Sequence, residues 1–188
     1  PGKNLGAMGD AGALVTDDPQ LARRMEMYSR HGGLFKGDHQ IEGINSRMDG
    51  LQAAVLTVKL RHLPAWTASR QRIAAAYTEK LRCVDEISTP TVRSFCEHVW
   101  HLYVIRHEKR DQLARYLSEA GISTVINYPV ALPFLPAYSR LNHRPEDFPR
   151  AYKNQSRILS LPIYAELTRQ QLDRVVDAIG RFVSQRVG

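Results

Sequence analysis

The first sixteen residues constrain the fold most, because four glycines surround a single lysine and lead into a short apolar run. The lysine is Lys3, and the glycines are Gly2, Gly6, Gly9 and Gly12. Glycine adopts positive φ and lets a backbone or a ligand approach closely, at a cost in chain entropy. This stretch therefore predicts a tightly shaped loop in which Lys3 serves either as a phosphate contact or as an amine nucleophile.

The spacing differs from that of a P-loop, in which glycines precede the lysine and Ser or Thr follows it directly. Here most glycines follow Lys3, and the next residue is Asn4. A surface turn with a solvated lysine is the alternative on spacing alone.

The order of residues in this stretch carries more information than the spacing of its glycines. Pro-Gly-Lys-Asn-Leu-Gly, two further residues and then Gly-Asp-Ala-Gly-Ala-Leu-Val-Thr-Asp-Asp closely resemble the lysine segment of the DegT/DnrJ/EryC1/StrS aminotransferases. The resemblance continues to the C-terminal helix. It implies an α/β fold, namely the C-terminal part of a fold-type I PLP-dependent transferase, with the end of the large domain plus a small α+β domain.

The resemblance also implies a function. Members of the family use pyridoxal 5′-phosphate (PLP) and pass an amino group, usually from glutamate, to a keto sugar on a nucleoside diphosphate. The lysine that matches Lys3 forms the Schiff base with the cofactor and then serves as the base that moves the substrate proton. Such amines are activated by burial or by nearby cations, so we expect the Gly-rich loop to bury Lys3.

A second motif, Gly-Ile-Asn-Ser-Arg, contains Asn45 and Arg47, which match the Asn-x-Arg motif of the family. The resemblance implies that Asn45 reaches the cofactor phosphate of a neighbouring subunit and that Arg47 holds the anionic donor or substrate. An amide donates to phosphate oxygens, and a guanidinium grips carboxylate or phosphate bidentately. Shared sites imply a homodimer. The alternative is that Asn45 caps the next helix and Arg47 is a surface charge in its first turn.

Two further residues are candidates for substrate contact. Tyr128 lies in a segment that resembles the His-Tyr-Pro segment of the family, which approaches the substrate; a tyrosine buried on a strand is the alternative. Asn127 stands where the family usually has His, and Pro133 lies where a second His is common, so the sugar stays undefined. His31 suits a helix C-terminus, where an imidazolium favours the dipole, and relatives often carry His-Gly here, which makes it a secondary candidate.

The pattern of apolar residues, turn formers and caps predicts three parts: residues 1–50 as the remainder of the PLP-binding large domain, 51–82 as a linking helix kinked at Pro64, and 83–188 as the small α+β domain.

The expected elements are a buried strand over 11–16, a helix over 19–30 with N-cap candidates before Pro19, strands over 99–106 and 124–130, a helix over 109–120, a loop over 131–149 and a final helix after the capping box at Thr168.

Composition narrows the alternatives. The chain has 188 residues, is 43% hydrophobic and 24% charged, and has no apolar run near the ~20 residues of a membrane span. Cys83 and Cys96 lack metal-site spacing, which favours a reduced, cytoplasmic setting. His98 and His101 would point to opposite faces of a strand, so no metal site is expected.

The net charge of +7 comes from basic residues that are scattered along the chain. The sequence shows no motif of a nucleic-acid-binding fold. The chain opens on Pro at a point where a family member would be midway through its large domain, so it looks like a fragment that is inactive alone. The competing hypotheses are a non-catalytic remnant and a basic binding module.

Overall fold

The computed structural model describes residues 2–185 and divides the chain into two compact units, unit 1 (Pro1–Pro64) and unit 2 (Ala65–Gly188). The helices are α1 (Pro19–Ser29), α2 (Gly50–Leu60), α3 (Leu63–Leu81), α4 (Arg110–Glu119), α5 (Pro149–Gln155) and α6 (Arg169–Ser184), and the strands are β1 (Tyr103–Arg106) and β2 (Ile158–Leu161). Two short 3₁₀ helices cover Leu132–Phe134 and Pro136–Leu141. None of the helices in residues 2–185 has the length and apolar character needed to cross a bilayer.

Helix α1 begins where the sequence predicts. The Asp18 carboxylate accepts hydrogen bonds from the backbone N–H groups of Gln20 and Leu21, at 2.8 and 3.2 Å. These are two of the donors that a helix start leaves without partners. Pro19 occupies the first helical position, which needs no N–H.

The predicted strand over 11–16 is wrong. The segment is not assigned to any strand, and no strand within residues 2–185 pairs with it. Leu14 and Val15 are 75% and 93% exposed. An apolar, β-prone sequence favours an extended backbone, but a strand also needs a second strand to exchange hydrogen bonds with.

The stretch predicted as one kinked helix is two helices. Helix α2 ends at Leu60, and α3 begins at Leu63. Pro64 lies in the first turn of α3, where its missing N–H needs no intrahelical partner. The proline therefore lies at the start of a new helix instead of bending a continuous one. The three-part domain division itself stays a prediction.

Unit 2 is built around a two-stranded antiparallel sheet in which Tyr103 pairs with Leu161 and Arg106 pairs with Ile158. One face of α6 is buried, as its apolar spacing predicts. Each such side chain contributes about 1.5–3 kcal/mol when fully buried. The buried core contains Ile73, Ala74, Tyr77, Leu81, Tyr103, Ile105, Leu113, Leu117, Ile122, Leu159, Leu161, Leu172, Val175, Ala178, Ile179, Phe182 and Val183.

The predicted strand over 99–106 is shorter than expected. It begins only at Tyr103, because Trp100 has a left-handed φ of 46° and its N–H donates to His98 Nδ1 at 2.9 Å. Arg70 Nη1 donates to the carbonyls of Trp100 and His101, at 3.0 and 3.2 Å, and burial lowers the pKa of Arg70. His98 and His101 therefore lie on a loop, so their side chains do not alternate between the two faces of a strand as expected.

The predicted strand over 124–130 is reduced to one bridge, between Val125 and Ser160. Its partner, β2, and the preceding helix α5 are not among the predicted elements. Helices α4 and α6 agree with the prediction, and Thr168 with Gln171 forms the expected capping box.

Candidate functional site

The lysine loop of unit 1 is shaped by glycine and fastened to α2. Gly6 and Gly9 have φ values of +71° and +123°, which L side chains rarely adopt. Lys59 Nζ donates to the Gly6 carbonyl, and the Met8 N–H donates to Gln52 Oε1 at 3.0 Å. Both of these partners lie on α2. Two hydrogen bonds thus fix the loop to that helix.

Lys3 lies in the turn at the start of this loop, and its side chain is exposed. The expectation that the Gly-rich loop buries Lys3 is therefore wrong. The loop fixes the backbone that carries Lys3. It does not desolvate the amine, so any desolvation has to come from groups other than the loop.

The C-terminus of α1 is closed by the segment that carries the Asn-x-Arg motif. The Gly32 N–H donates to the Met27 carbonyl at 2.7 Å, as in a Schellman ending. The Tyr28 carbonyl accepts from the Ile44 N–H at 2.8 Å, and the Ile44 carbonyl accepts from the His31 N–H at 3.0 Å. Ile44 thus satisfies groups that the end of the helix leaves without partners.

His31 takes the left-handed position at this helix end, with a φ of 63° and an exposed side chain. Its carbonyl faces His39 Nδ1 at 2.9 Å. The pairing continues along the chain, because Arg30 forms an antiparallel bridge with Asn45 and the Ser46 N–H donates to the Ser29 carbonyl at 2.9 Å. The position of Asn45 is therefore set by the backbone of the α1 terminus.

Asn45 and Arg47 are joined to each other. Arg47 Nε donates to Asn45 Oδ1 at 3.1 Å, and both side chains are exposed. This bond uses the amide oxygen of Asn45 and leaves the amide NH₂ able to donate to another acceptor. The alternative in which Asn45 caps α2 is wrong, because the N-cap residue is Asp49. Within residues 2–185 no hydrogen bond is described that links Lys3 to Asn45 or Arg47.

Two glycines allow this arrangement: Gly32, which follows α1, and Gly43, which opens the motif that contains Asn45 and Arg47. A Cβ on Gly32 would lie 1.7 Å from the Ile41 carbonyl oxygen, and one on Gly43 would lie 2.3 Å from the Gly32 nitrogen. Both distances are far below any real contact, so only glycine fits. The sequence signal for Gly43 was its place two residues before Asn45.

An open cavity of 930 Å³ in unit 1 is lined by the extended segment 10–16, by one side of α1 and by residues 46–48. Its charged lining residues are Asp10, Glu26 and Arg47. Of the predicted site residues, Arg47 lines this cavity, whereas Lys3, Asn45 and His31 do not.

Tyr128 belongs to unit 2, whereas the other four candidates belong to unit 1. It is 72% exposed, so the alternative of a buried strand tyrosine is wrong. The preceding residue, Asn127, is half-buried and accepts a hydrogen bond from Ser160 Oγ at 2.8 Å through its Oδ1. The peptide bond between Asn127 and Tyr128 is cis.

The chain resembles known proteins over nearly its whole length. The family model described as "DegT/DnrJ/EryC1/StrS aminotransferase family" matches residues 1–180. A protein of Saccharopolyspora erythraea named erythromycin biosynthesis sensory transduction protein EryC1 is 46% identical over 94% of this chain and 48% of its own length. A dTDP-3-amino-3,4,6-trideoxy-alpha-D-glucose transaminase of Streptomyces venezuelae is 42% identical over 95% of this chain and 47% of its own length.

Solved structures agree with these relatives. The crystal structure of S. venezuelae DesV in complex with a ketimine intermediate has a TM-score of 0.92 and 41% identity, over 97% of this chain and 49% of DesV. An aminotransferase from Brucella abortus has a TM-score of 0.90 and 37% identity over the same shares. The predicted fold class, α/β and part of a fold-type I PLP-dependent transferase, is confirmed.

The chain spans about half the length of the curated relatives that it matches. Because the family model covers residues 1–180, the chain belongs to the DegT/DnrJ/EryC1/StrS aminotransferase family.

Proposed function

We propose that the protein carrying this chain is a PLP-dependent aminotransferase that moves an amino group from glutamate to a keto sugar on a nucleoside diphosphate, releasing 2-oxoglutarate. The observation that carries the proposal is the exposed Lys3 amine on a loop that two hydrogen bonds fix to α2. The 42% identical relative named as a dTDP-amino-sugar transaminase supports the substrate class.

The donor groups of unit 1 fit pyridoxal phosphate, which presents an aldehyde and a phosphate. Lys3 offers an amine for the aldehyde, and the Asn45 amide NH₂ and the Arg47 guanidinium offer donors for oxyanions. When bound, the cofactor supplies an electron sink for the charge that develops on the substrate carbon.

Each residue then has a defined task. The Lys3 amine is the base that takes the proton from the α-carbon of glutamate and that delivers a proton to the sugar carbon that receives the amino group. Arg47 binds a carboxylate or phosphate of the donor or the substrate, and its bond to Asn45 holds the guanidinium in one orientation. Tyr128 and His31 contact the substrate, and both side chains are exposed.

The proposal includes a homodimer in which Asn45 reaches the cofactor phosphate of the second copy. Apolar side chains flank the motif and are exposed: Ile44, Met48 and Leu51 are 48%, 47% and 81% exposed. Exposed apolar patches rimmed by polar residues mark interaction surfaces. A cytoplasmic setting is also proposed, because Cys83 and Cys96 are free and exposed.

The test is reductive trapping of the cofactor on the full-length protein with added pyridoxal phosphate. Lys3→Ala is compared with Lys36→Ala, which removes another exposed lysine of unit 1. We expect a visible absorption band and, after borohydride, the mass of the cofactor on the Lys3 peptide in the wild type and in Lys36→Ala. Lys3→Ala should lose both signals.

A band that does not depend on Lys3, or no band at saturating cofactor, contradicts the aminotransferase proposal. The chain would then be a remnant or a binding module. Tight, steeply salt-dependent binding of DNA would favour the binding module.

A further inference from the structure

Tyr128 stands on a segment that unit 2 holds on both sides. Before it, Val125 and Ser160 exchange backbone hydrogen bonds, with N···O distances of 3.2 and 2.8 Å. After it, the Ala131 N–H donates to Gln155 Oε1 at 2.9 Å. The segment between these points is therefore anchored to β2 at one end and to α5 at the other.

The third contact is the one nearest to the tyrosine. Ser160 lies on β2 and is 5% exposed, and its hydroxyl donates to Asn127 Oδ1 at 2.8 Å. A hydrogen bond to so buried a hydroxyl has no ready replacement from water, so losing it costs more than losing an exposed one. Asn127 is therefore tied to the sheet by its side chain.

Burial changes abruptly at the next residue. Asn127 is half-buried, whereas Tyr128 is 72% exposed, although the two are adjacent in the chain. The amide of Asn127 faces the protein through its oxygen, and the phenol of Tyr128 faces outward. An amide does not titrate near neutral pH, so Asn127 is suited to holding geometry and not to carrying protons.

We propose that Asn127 is a positioning residue for Tyr128: its bond to Ser160 fixes the segment so that the Tyr128 hydroxyl meets an oxygen of the nucleotide-linked sugar. The inference rests on the proposed function and assigns Ser160 to the same task. Holding a binding group in one orientation raises affinity because less freedom is lost when the ligand binds.

The proposal predicts an effect on substrate binding and not on chemistry. Asn127→Ala and Ser160→Ala should each raise KM for the nucleotide sugar by about tenfold, the ratio that corresponds to one lost hydrogen bond. Both should leave kcat and the KM for glutamate within about twofold of wild type. Ser156→Ala, which deletes an exposed hydroxyl just before β2, is the matched control and should change neither.

The decisive comparison uses the background Tyr128→Phe. If Asn127 acts through the Tyr128 hydroxyl, Asn127→Ala in this background should change KM by less than about twofold, because coupled residues give non-additive effects. The experiment is a set of steady-state measurements on the full-length protein loaded with pyridoxal phosphate, with thermal unfolding recorded for each variant.

The other outcomes overturn the inference in distinguishable ways. Fully additive effects mean that Asn127 does not act through Tyr128. An equal rise in KM for glutamate, or an unchanged KM in Asn127→Ala, removes its role in substrate binding while the aminotransferase proposal stands. If Ser160→Ala fails to fold, the Asn127→Ala and Tyr128→Phe pair decides alone. Absence of turnover in the wild type overturns the proposed function and this inference with it.

Discussion

Unit 1 and unit 2 are each stabilised in a different way. Unit 2 has a continuous buried core that includes both strands and one face of α6. In unit 1 the structure describes two buried apolar side chains, Met27 and Leu56, while Leu14, Val15 and Leu51 are at least 75% exposed. Unit 1 instead depends on backbone pairing at the α1 terminus and on glycines in close contact.

This difference separates the buried core from most of the candidate site residues. Four of the five candidate site residues lie in the unit with little core, on loops whose shape comes from backbone hydrogen bonds. A site on such loops has low local stability, because few apolar contacts resist opening. We therefore expect unit 1 to exchange its amide hydrogens faster than unit 2.

The largest effect should come from the core of unit 2. Leu159 is fully buried on β2, so Leu159→Ala should lower the free energy of unfolding by about 2–5 kcal/mol through lost burial and a residual cavity. Val15→Ala, at a residue that is 93% exposed in unit 1, should change it by less than about 0.5 kcal/mol. Urea unfolding of the full chain measures both, and similar losses would contradict the contrast between the units.

A smaller effect should come from the glycines of unit 1. Gly43→Ala places a Cβ 2.3 Å from the Gly32 nitrogen, so the pairing that positions Asn45 must shift. We expect a loss of about 1–3 kcal/mol, the range for local strain, together with faster exchange of the Ile44 and His31 amides. Gly50→Ala is the control, since its Cβ would meet no atom within 4 Å. Equal exchange rates in the two variants would argue against a constraining role for Gly43.

The smallest effect should appear only at alkaline pH. Burial raises the pKa of Tyr77 and of Tyr103 in unit 2. An unfolded tyrosine ionises near pH ~10, so below that pH both states hold the proton and no stability is lost. Above it the unfolded state releases its proton first, and stability falls as pH rises.

For Tyr77 this loss should be about 1.4 kcal/mol per pH unit above ~10. Tyr77→Phe should reduce the slope, although it also removes the hydrogen bond to the Pro162 carbonyl, 3.0 Å away, at every pH. Urea unfolding between pH 8 and 11 separates the two effects, and an unchanged alkaline slope in Tyr77→Phe would contradict the prediction.

Local signals in the sequence predicted local structure well. The Asp18 cap, the Thr168 capping box and the apolar stripe of α6 depend on residues a few positions apart, and all are confirmed. The prediction of a strand over 11–16 is wrong because strand pairing depends on a second strand, which the segment itself does not encode. Strand β2 was missed because a four-residue apolar run gives little periodicity.

The candidate site shows the same limit. The resemblance pointed to Asn45 and Arg47, but nothing in their spacing indicated that Arg47 Nε would bond to Asn45 Oδ1 or that Ile44 would close α1. The exposure of Lys3 agrees with the alternative of a surface turn and not with the expected burial, since glycine content reports backbone freedom and not burial. Asn127 drew notice only as a departure from the family pattern, while its bond to Ser160 spans 33 residues.

The pairing at the end of α1 also makes the intervening chain a closed loop. The Gly32 carbonyl accepts hydrogen bonds from the Gln40 and Ile41 N–H groups, so the exposed tip around Lys36 begins and ends at fixed points. Closing a longer loop costs only about 0.6 kcal/mol for each doubling of its length. Insertions and substitutions can therefore change the length, composition and contacts of this tip without displacing Asn45 or Arg47.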